Sequence, residues 1–134
     1  MKYRYFTERE LRRGKIIPEG LANNIIPTAK VLDELRSLYG KPIKINSSYR
    51  SPEYNASVKG AKNSLHLQYN ALDFTVDNKV DLPYLYKILV EWDATHKFDF
   101  LPKPGSMGLG LYKTFIHIDT RATLGRTAPS RWKS

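Results

Sequence analysis

The clearest signals along the chain are two stretches in which apolar residues recur at helical spacing. Ile25, Ala29, Leu32, Leu35 and Tyr39 follow one face of a 3.6-residue period, with Arg36 beside the stripe, and predict a helix over Ile26–Tyr39 that Gly40 and Pro42 end. Leu82, Leu85, Leu89 and Trp92 form a second stripe, which predicts a helix over Leu82–Ala94 with Asp81 as its cap. Thr7 followed by Glu10 has the spacing of a capping box, so Leu11 opens a short helix. Ser51-Pro52-Glu53 starts another, with Ser as N-cap and Pro at the first helical position, and it ends near Lys59-Gly60.

Between these segments the pattern changes to a period of two. Ala71–Val76 is the strongest strand, with Leu72, Phe74 and Val76 on one face and Ala71, Asp73 and Thr75 on the other. Pro42–Ser47 reads as a short strand, and Gly108–Tyr112 and Phe115–Thr120 as two strands joined by a tight turn at Lys113-Thr114. Alternation over Lys2–Phe6 predicts an edge strand, and Phe98–Leu101 a further one, while Pro18–Asn24 and Pro102–Gly108 read as loops. Helices and strands do not alternate regularly. The expected fold class is therefore α+β, a small, mainly antiparallel sheet with helices packed on one side. No repeat, linker or low-complexity stretch divides the 134 residues, so one domain over 1–134 is expected.

Composition narrows the chemistry. There is no cysteine, which excludes disulfides, thiolate metal sites and a Cys nucleophile. No apolar run reaches the roughly 18 residues of a membrane span, and Met1–Glu8 has no apolar segment of the secretory kind. The net charge is +9, from 22 basic and 13 acidic residues, which favours a polyanionic partner such as nucleic acid, anionic lipid or a cell-wall polymer. No reader motif for nucleic acid accompanies the charge, so nucleic acid is not taken as the partner.

Three histidines are present: His66, His96 and His117. His117 shares a strand face with Asp119, and Asp73 sits on the polar face of the strongest strand, just after the His66 segment. If the two strands are neighbours, Asp73 and His117 project from one side and His66 can fold over to meet them. Two imidazoles and one carboxylate suit zinc with an open fourth position. The same spacing also suits a partly buried His satisfied by a neighbour.

Ser64-Leu65-His66, six further residues, then Ala71-Leu72-Asp73 is a more specific pattern: Ser-x-His followed by Ala-x-Asp. With Phe115-Ile116-His117-Ile118-Asp119, the preceding Gly108-Leu109-Gly110-Leu111-Tyr112, Ser47-Ser48-Tyr49-Arg50-Ser51-Pro52 and the closing Arg131-Trp132, it resembles the M15 zinc D-Ala-D-Ala carboxypeptidases and related phage endolysins. Agreement also runs through Tyr5-Phe6-Thr7, Glu10-Leu11, Val31-Leu32 and Leu35-Arg36, so the resemblance covers nearly the whole chain in order.

The resemblance implies a hedgehog/D-Ala-D-Ala-peptidase-like fold, Zn2+ held by His66, Asp73 and His117, and hydrolysis of peptide bonds in peptidoglycan. It implies substrate contacts at Arg50 and Ser64. A planar, always-charged guanidinium suits bidentate carboxylate recognition. The chain departs from the pattern at two places. Tyr69 stands where many relatives have Gly, and if its φ is positive it is strained; as an alternative shape of the loop, Tyr69 lines the cleft as a substrate contact. Thr114 stands where several relatives have a Glu or Asp general base, and threonine accepts no proton at neutral pH. The expected substitutes are Asp119, as base or as a support for a ligand, and Tyr112, as a hydrogen-bond donor to the oxyanion; Asp93, His96 and Asp99 are further candidates from the loop side. A phage endolysin would be made in the host cytoplasm and reach the wall after membrane permeabilisation. Peptidoglycan is then the expected partner, and a monomer the expected state. A module of the same fold that binds zinc in the wall or virion without turnover is the alternative.

Overall fold

The computed structural model describes residues 3–134. Among them are four α-helices, α1 (Glu8–Arg12), α2 (Ile26–Tyr39), α3 (Pro52–Ser57) and α4 (Leu82–Ala94). Five strands, β1 (Lys44–Ser47), β2 (Ala71–Thr75), β3 (Gly108–Leu111), β4 (Ile116–Asp119) and β5 (Ser130–Lys133), form one sheet in the order β1-β2-β4-β3-β5. Only the β3–β5 pair is parallel, so the α+β class with a mainly antiparallel sheet is what the chain adopts.

The local reasons are those expected from the pattern. Thr7 and Glu10 close a reciprocal capping box on α1. The Ser51 hydroxyl accepts the Tyr54 amide at 3.1 Å to start α3. Pro27 and Pro83 occupy the first turns of α2 and α4, where an amide proton would have no helical partner, and Gly40 at φ 75° ends α2. Leu72, Phe74, Ile116, Ile118 and Leu109 form the buried layer of the sheet, against Ala29, Leu32 and Leu35 of α2 and Leu82, Leu85 and Leu89 of α4. Each of the fully buried Leu, Ile and Phe side chains contributes about 1.5–3 kcal/mol.

Alternation then puts the other set of residues on the opposite face. In register across four strands lie Asp73, His117, Gly110 and Trp132. A polar brace fixes that register at one end. The Asn70 amide accepts the Thr120 backbone N–H at 3.1 Å and donates to the Asn24 carbonyl at 3.0 Å and the Thr120 hydroxyl at 3.1 Å. The Thr28 hydroxyl of α2 donates to the Asn70 carbonyl at 2.7 Å. Thr28, Asn70 and Thr120 are buried, and the brace ties the start of β2 to the end of β4.

Several expectations are corrected. Residues 3–6 form no strand, and Lys2 lies outside the described residues. The amides of Arg4 and Tyr5 instead donate to the Asp33 carboxylate at 3.1 and 2.9 Å, which replaces a sheet partner. Residues 98–101 form no strand and 99–101 are turn and bend, because Phe98 packs edge-on to Trp92 and the Leu101 amide closes back on the Phe98 carbonyl. Asp81 makes no side-chain cap on α4. Asn78 caps the preceding short 3-10 turn, and Asp81 accepts the Tyr39 hydroxyl at 2.6 Å. Within the predicted loop Pro18–Asn24, Glu19–Leu21 form a turn of 3-10 helix. The tail adds β5, which the pattern did not predict.

Candidate metal centre

Two adjacent strands and the loop before one of them bring the three candidate ligands together. Asp73 in β2 is directly opposite His117 in β4, and His66 comes from the 61–70 segment of turns that leads into β2. One Asp73 oxygen, Oδ1, lies 3.1 Å from His66 Nε2 and 3.1 Å from His117 Nδ1. The three ligand atoms all fall within 4.8 Å of one another. Donors about 2.0–2.1 Å from a tetrahedral zinc are separated by about 3.4 Å, so the cluster has the dimensions of three corners of such a site.

The imidazoles are also turned the right way. His66 Nδ1 lies 2.6 Å from the Ser48 carbonyl oxygen, which can only accept, so Nδ1 carries the proton and the Nε2 lone pair faces Asp73. His117 Nε2 donates to Asp119 Oδ2 at 2.7 Å, leaving Nδ1 toward the same point. A partner on the far nitrogen is what fixes the tautomer of a metal-binding histidine. On the chemistry of its donors and the setting of both rings, the cluster fits a divalent metal such as zinc.

Asp119 is fully buried, and both its oxygens are committed. Besides His117, the carboxylate accepts the Gly108 amide at 3.1 Å, the Arg121 amide at 3.1 Å and the Arg121 guanidinium at 3.0 and 2.9 Å. Burial opposes its ionisation, but the bonds from His117 and Arg121 prevail and hold its pKa at about 2. Asp119 does not line the cleft and, with its oxygens taken, is no free base. It supports His117. Asp73 is likewise ionised well below the usual carboxylate range: burial pushes up, and the bonds to His117 and His66 outweigh it. Burial lowers the affinity of His117 for a proton, yet Asp119 and Asp73 together raise it.

The cluster sits in a cleft of about 630 Å³. Arg50 lines it, with Nη2 3.6 Å from Asp73 Oδ2 and Nη1 3.5 Å from the Asn55 amide oxygen. Ser64 lines it too, although its hydroxyl accepts the His66 amide at 3.2 Å and so also shapes the ligand loop. The Tyr112 ring stacks on Phe115, centroids 4.2 Å apart, and its hydroxyl accepts the Trp132 indole N–H at 2.8 Å. The sequence reading missed the parts played by Trp132, Arg121, Arg126 and Phe115, which also bound the cleft. Arg121 had a signal, two residues beyond Asp119; the Ser48 carbonyl, a backbone atom, had none.

Tyr69 does not line the cleft. Its φ is 51°, the left-handed conformation expected to be strained, but its ring is 2 % exposed and packs edge-on to Tyr49 in the core. A buried aromatic ring offsets a left-handed residue's cost of about 1–2 kcal/mol. Thr114 is exposed in the β3–β4 turn. Asp93 is buried and bonded to Arg131 and the Ser106 and Met107 amides, His96 bonds the Leu101 carbonyl, and Asp99 is exposed on a turn. None of the four lines the cleft, where Asp73 is the one acidic residue among the described residues.

Comparison with known families gives a match to the model described as Peptidase M15 over residues 4–119. No curated protein matches the chain.

Proposed function

The chain belongs to the M15 peptidase family, a family of hydrolases, and from that premise we propose that it is a zinc-dependent peptidase acting on peptidoglycan stem peptides or their cross-links, as a phage endolysin does. The observation that carries the reading is the convergence of His66 Nε2, Asp73 Oδ1 and His117 Nδ1, with both tautomers set from behind. When bound there, zinc supplies a Lewis acid and a water whose pKa falls to about 7.

The chain's own groups divide the remaining work. Asp73 contributes the anionic donor, and Asp119 keeps the His117 ring from rotating. Arg50 offers guanidinium N–H groups to a substrate carbonyl or carboxylate near the scissile bond. The Tyr112 hydroxyl donates to the oxygen that gains charge as the carbonyl is attacked. Tyr112, Phe115 and Trp132 give the cleft an apolar wall against which a peptide packs. A net charge of +9 favours adhesion to an anionic wall, and the protein would act there as a monomer after release from the host cytoplasm.

One observation favours a second reading, a zinc-binding wall or virion module without turnover: Asp73 is the one acidic residue in the cleft among the described residues, and it is itself a ligand. Mass analysis of muropeptides released from purified sacculi separates the two. Fragments that appear with zinc and vanish on chelation or in His117→Ala are expected. Zinc binding with no fragment released would favour the module, and lysis undiminished by chelation would refute the mechanism.

A further inference from the structure

We propose that Trp132 is a positioning residue for this hydrolysis: its indole N–H fixes the Tyr112 hydroxyl so that the phenolic proton is presented to the cleft. The inference rests on the reading above and adds to it how the donor is aimed.

An indole N–H donates and never accepts. Trp132 Nε1 lies 2.8 Å from the Tyr112 oxygen, so one lone pair of that oxygen is taken and the hydroxyl proton must point away from the indole. Among the described residues no acceptor is recorded for that proton, while Tyr112, Trp132 and His117 all border the same cleft. The tyrosine ring has little freedom to do otherwise. It lies parallel to Phe115, 8° between planes, and its backbone amide closes the tight turn on the Phe115 carbonyl at 3.0 Å. Stacking sets the plane of the ring, and the indole sets where the oxygen rests.

The indole is itself held from three sides. β5 runs parallel to β3 with Trp132 beside Gly110, and a Cβ at position 110 would collide with the indole. The Arg121 guanidinium lies over the ring, its carbon 5.7 Å from the centroid, and the His117 ring is 5.1 Å away on centroids. The hydroxyl oxygen is therefore placed by a rigid neighbour of a ligand histidine. A donor fixed in advance needs no reorganisation as negative charge develops on the substrate oxygen.

Two measurements on the full chain test this. The sequence has two tryptophans, so an amide-correlation NMR spectrum of the zinc-loaded protein shows two indole N–H signals. In Tyr112→Phe, which removes the acceptor, one of them should move upfield and exchange faster with water while the Trp92 signal stays in place. In kinetics on a stem peptide identified from sacculi, Trp132→Phe keeps an aromatic ring in place, although a smaller one, and removes the N–H donor. It should lower kcat about 10- to 100-fold with KM within about twofold, as loss of an aimed oxyanion donor does. Tyr112→Phe should lower kcat at least as far, and the double variant no further than Tyr112→Phe alone. A merely structural tryptophan predicts otherwise: unchanged kcat in Trp132→Phe, losses that multiply in the double variant, or an indole signal indifferent to Tyr112→Phe. Any of these overturns the proposal. A wild-type protein that cuts no peptide overturns the assigned activity and this role with it, and the NMR result then still says whether the pair forms, so the two failures are told apart.

Discussion

Replacing Asp119 by Asn tests the support beneath His117 with the loss of a single charge. Five donor contacts converge on this carboxylate, from His117 Nε2, the Gly108 and Arg121 amides and two nitrogens of the Arg121 guanidinium. An amide keeps one accepting oxygen and turns an NH2 toward the remaining donors. If the NH2 faces His117, the ring satisfies it by accepting at Nε2, and the proton moves to Nδ1, the atom that faces Asp73. If the NH2 faces Gly108 and the Arg121 amide, those buried donors lose their acceptor. The first outcome removes a ligand lone pair, and loss of such a support typically lowers metal affinity 10- to 100-fold, or about 1.4–2.7 kcal/mol. Breaking the buried Asp119–Arg121 pair adds a stability loss of about 3–5 kcal/mol. Competition titration against a chromophoric chelator reads the affinity, and denaturant unfolding of the metal-free variant reads the stability separately. Zinc affinity within twofold of wild type, in a variant that has also lost no stability, would refute the assignment of Asp119 as the group that sets the His117 tautomer.

The remaining tests address other parts of the structure. Asn70→Ala strips three side-chain bonds from a buried brace and should destabilise the protein by about 2–4 kcal/mol in urea unfolding; a loss below 0.5 kcal/mol would show the brace to be idle. Gly110→Ala drives a methyl into the Trp132 indole and should lower the melting temperature, with a red shift in tryptophan emission as the ring is displaced; an unchanged spectrum would contradict the close approach. The Asp119 pKa is depressed in the fold, so its contribution is present above the unfolded value near 3.8 and is lost as pH falls toward about 2. Unfolding midpoints of the metal-free protein should therefore drop between pH 4 and pH 2, and a flat profile across that window would count against it. His117 has the opposite sign: its pKa is raised, so its contribution to the metal-free fold is complete below about 6.5 and fades as pH rises through the folded value. Because an ion displaces that proton, the melting-temperature gain on adding zinc should grow from pH 5.5 to pH 8; a gain that shrinks over that range would exclude His117 as a ligand.

What the sequence disclosed and what it concealed follow from where each element gets its stability. The approximate extent of α2 and α4 was legible, because their apolar stripes, and for α2 the Gly40 stop, are encoded locally. That Asp73 and His117 share a face was legible once β2 and β4 were taken as neighbours, since both strands alternate; that they stand directly opposite each other was not, because alternation fixes the face and not the register. β5 was not. Ser130-Arg131-Trp132-Lys133 has no alternation of its own, and its partner β3 carries two glycines whose missing side chains make room for Trp132 and for the Asp119–Arg121 pair. The alternation at residues 3–6 misled for the opposite reason, a pattern with no strand to pair with once Asp33 takes its amides. Tyr69 was legible as a departure from the pattern and illegible in direction: a positive φ stood only as a condition for strain, and only the packing against Tyr49 shows that the ring turns into the core.

His66 lies in a run of turns with no strand partner, whereas Asp73 and His117 are locked into the sheet. An ion shared among them would therefore act as a staple from sheet to loop, and its binding energy would go into holding residues 61–69 in place. Withdrawing it should leave α2 and α4 as resistant to proteases as before while opening that segment to cleavage, with Lys62 as the natural point for trypsin to nick. Resistance to digestion would then report occupancy without any substrate being present.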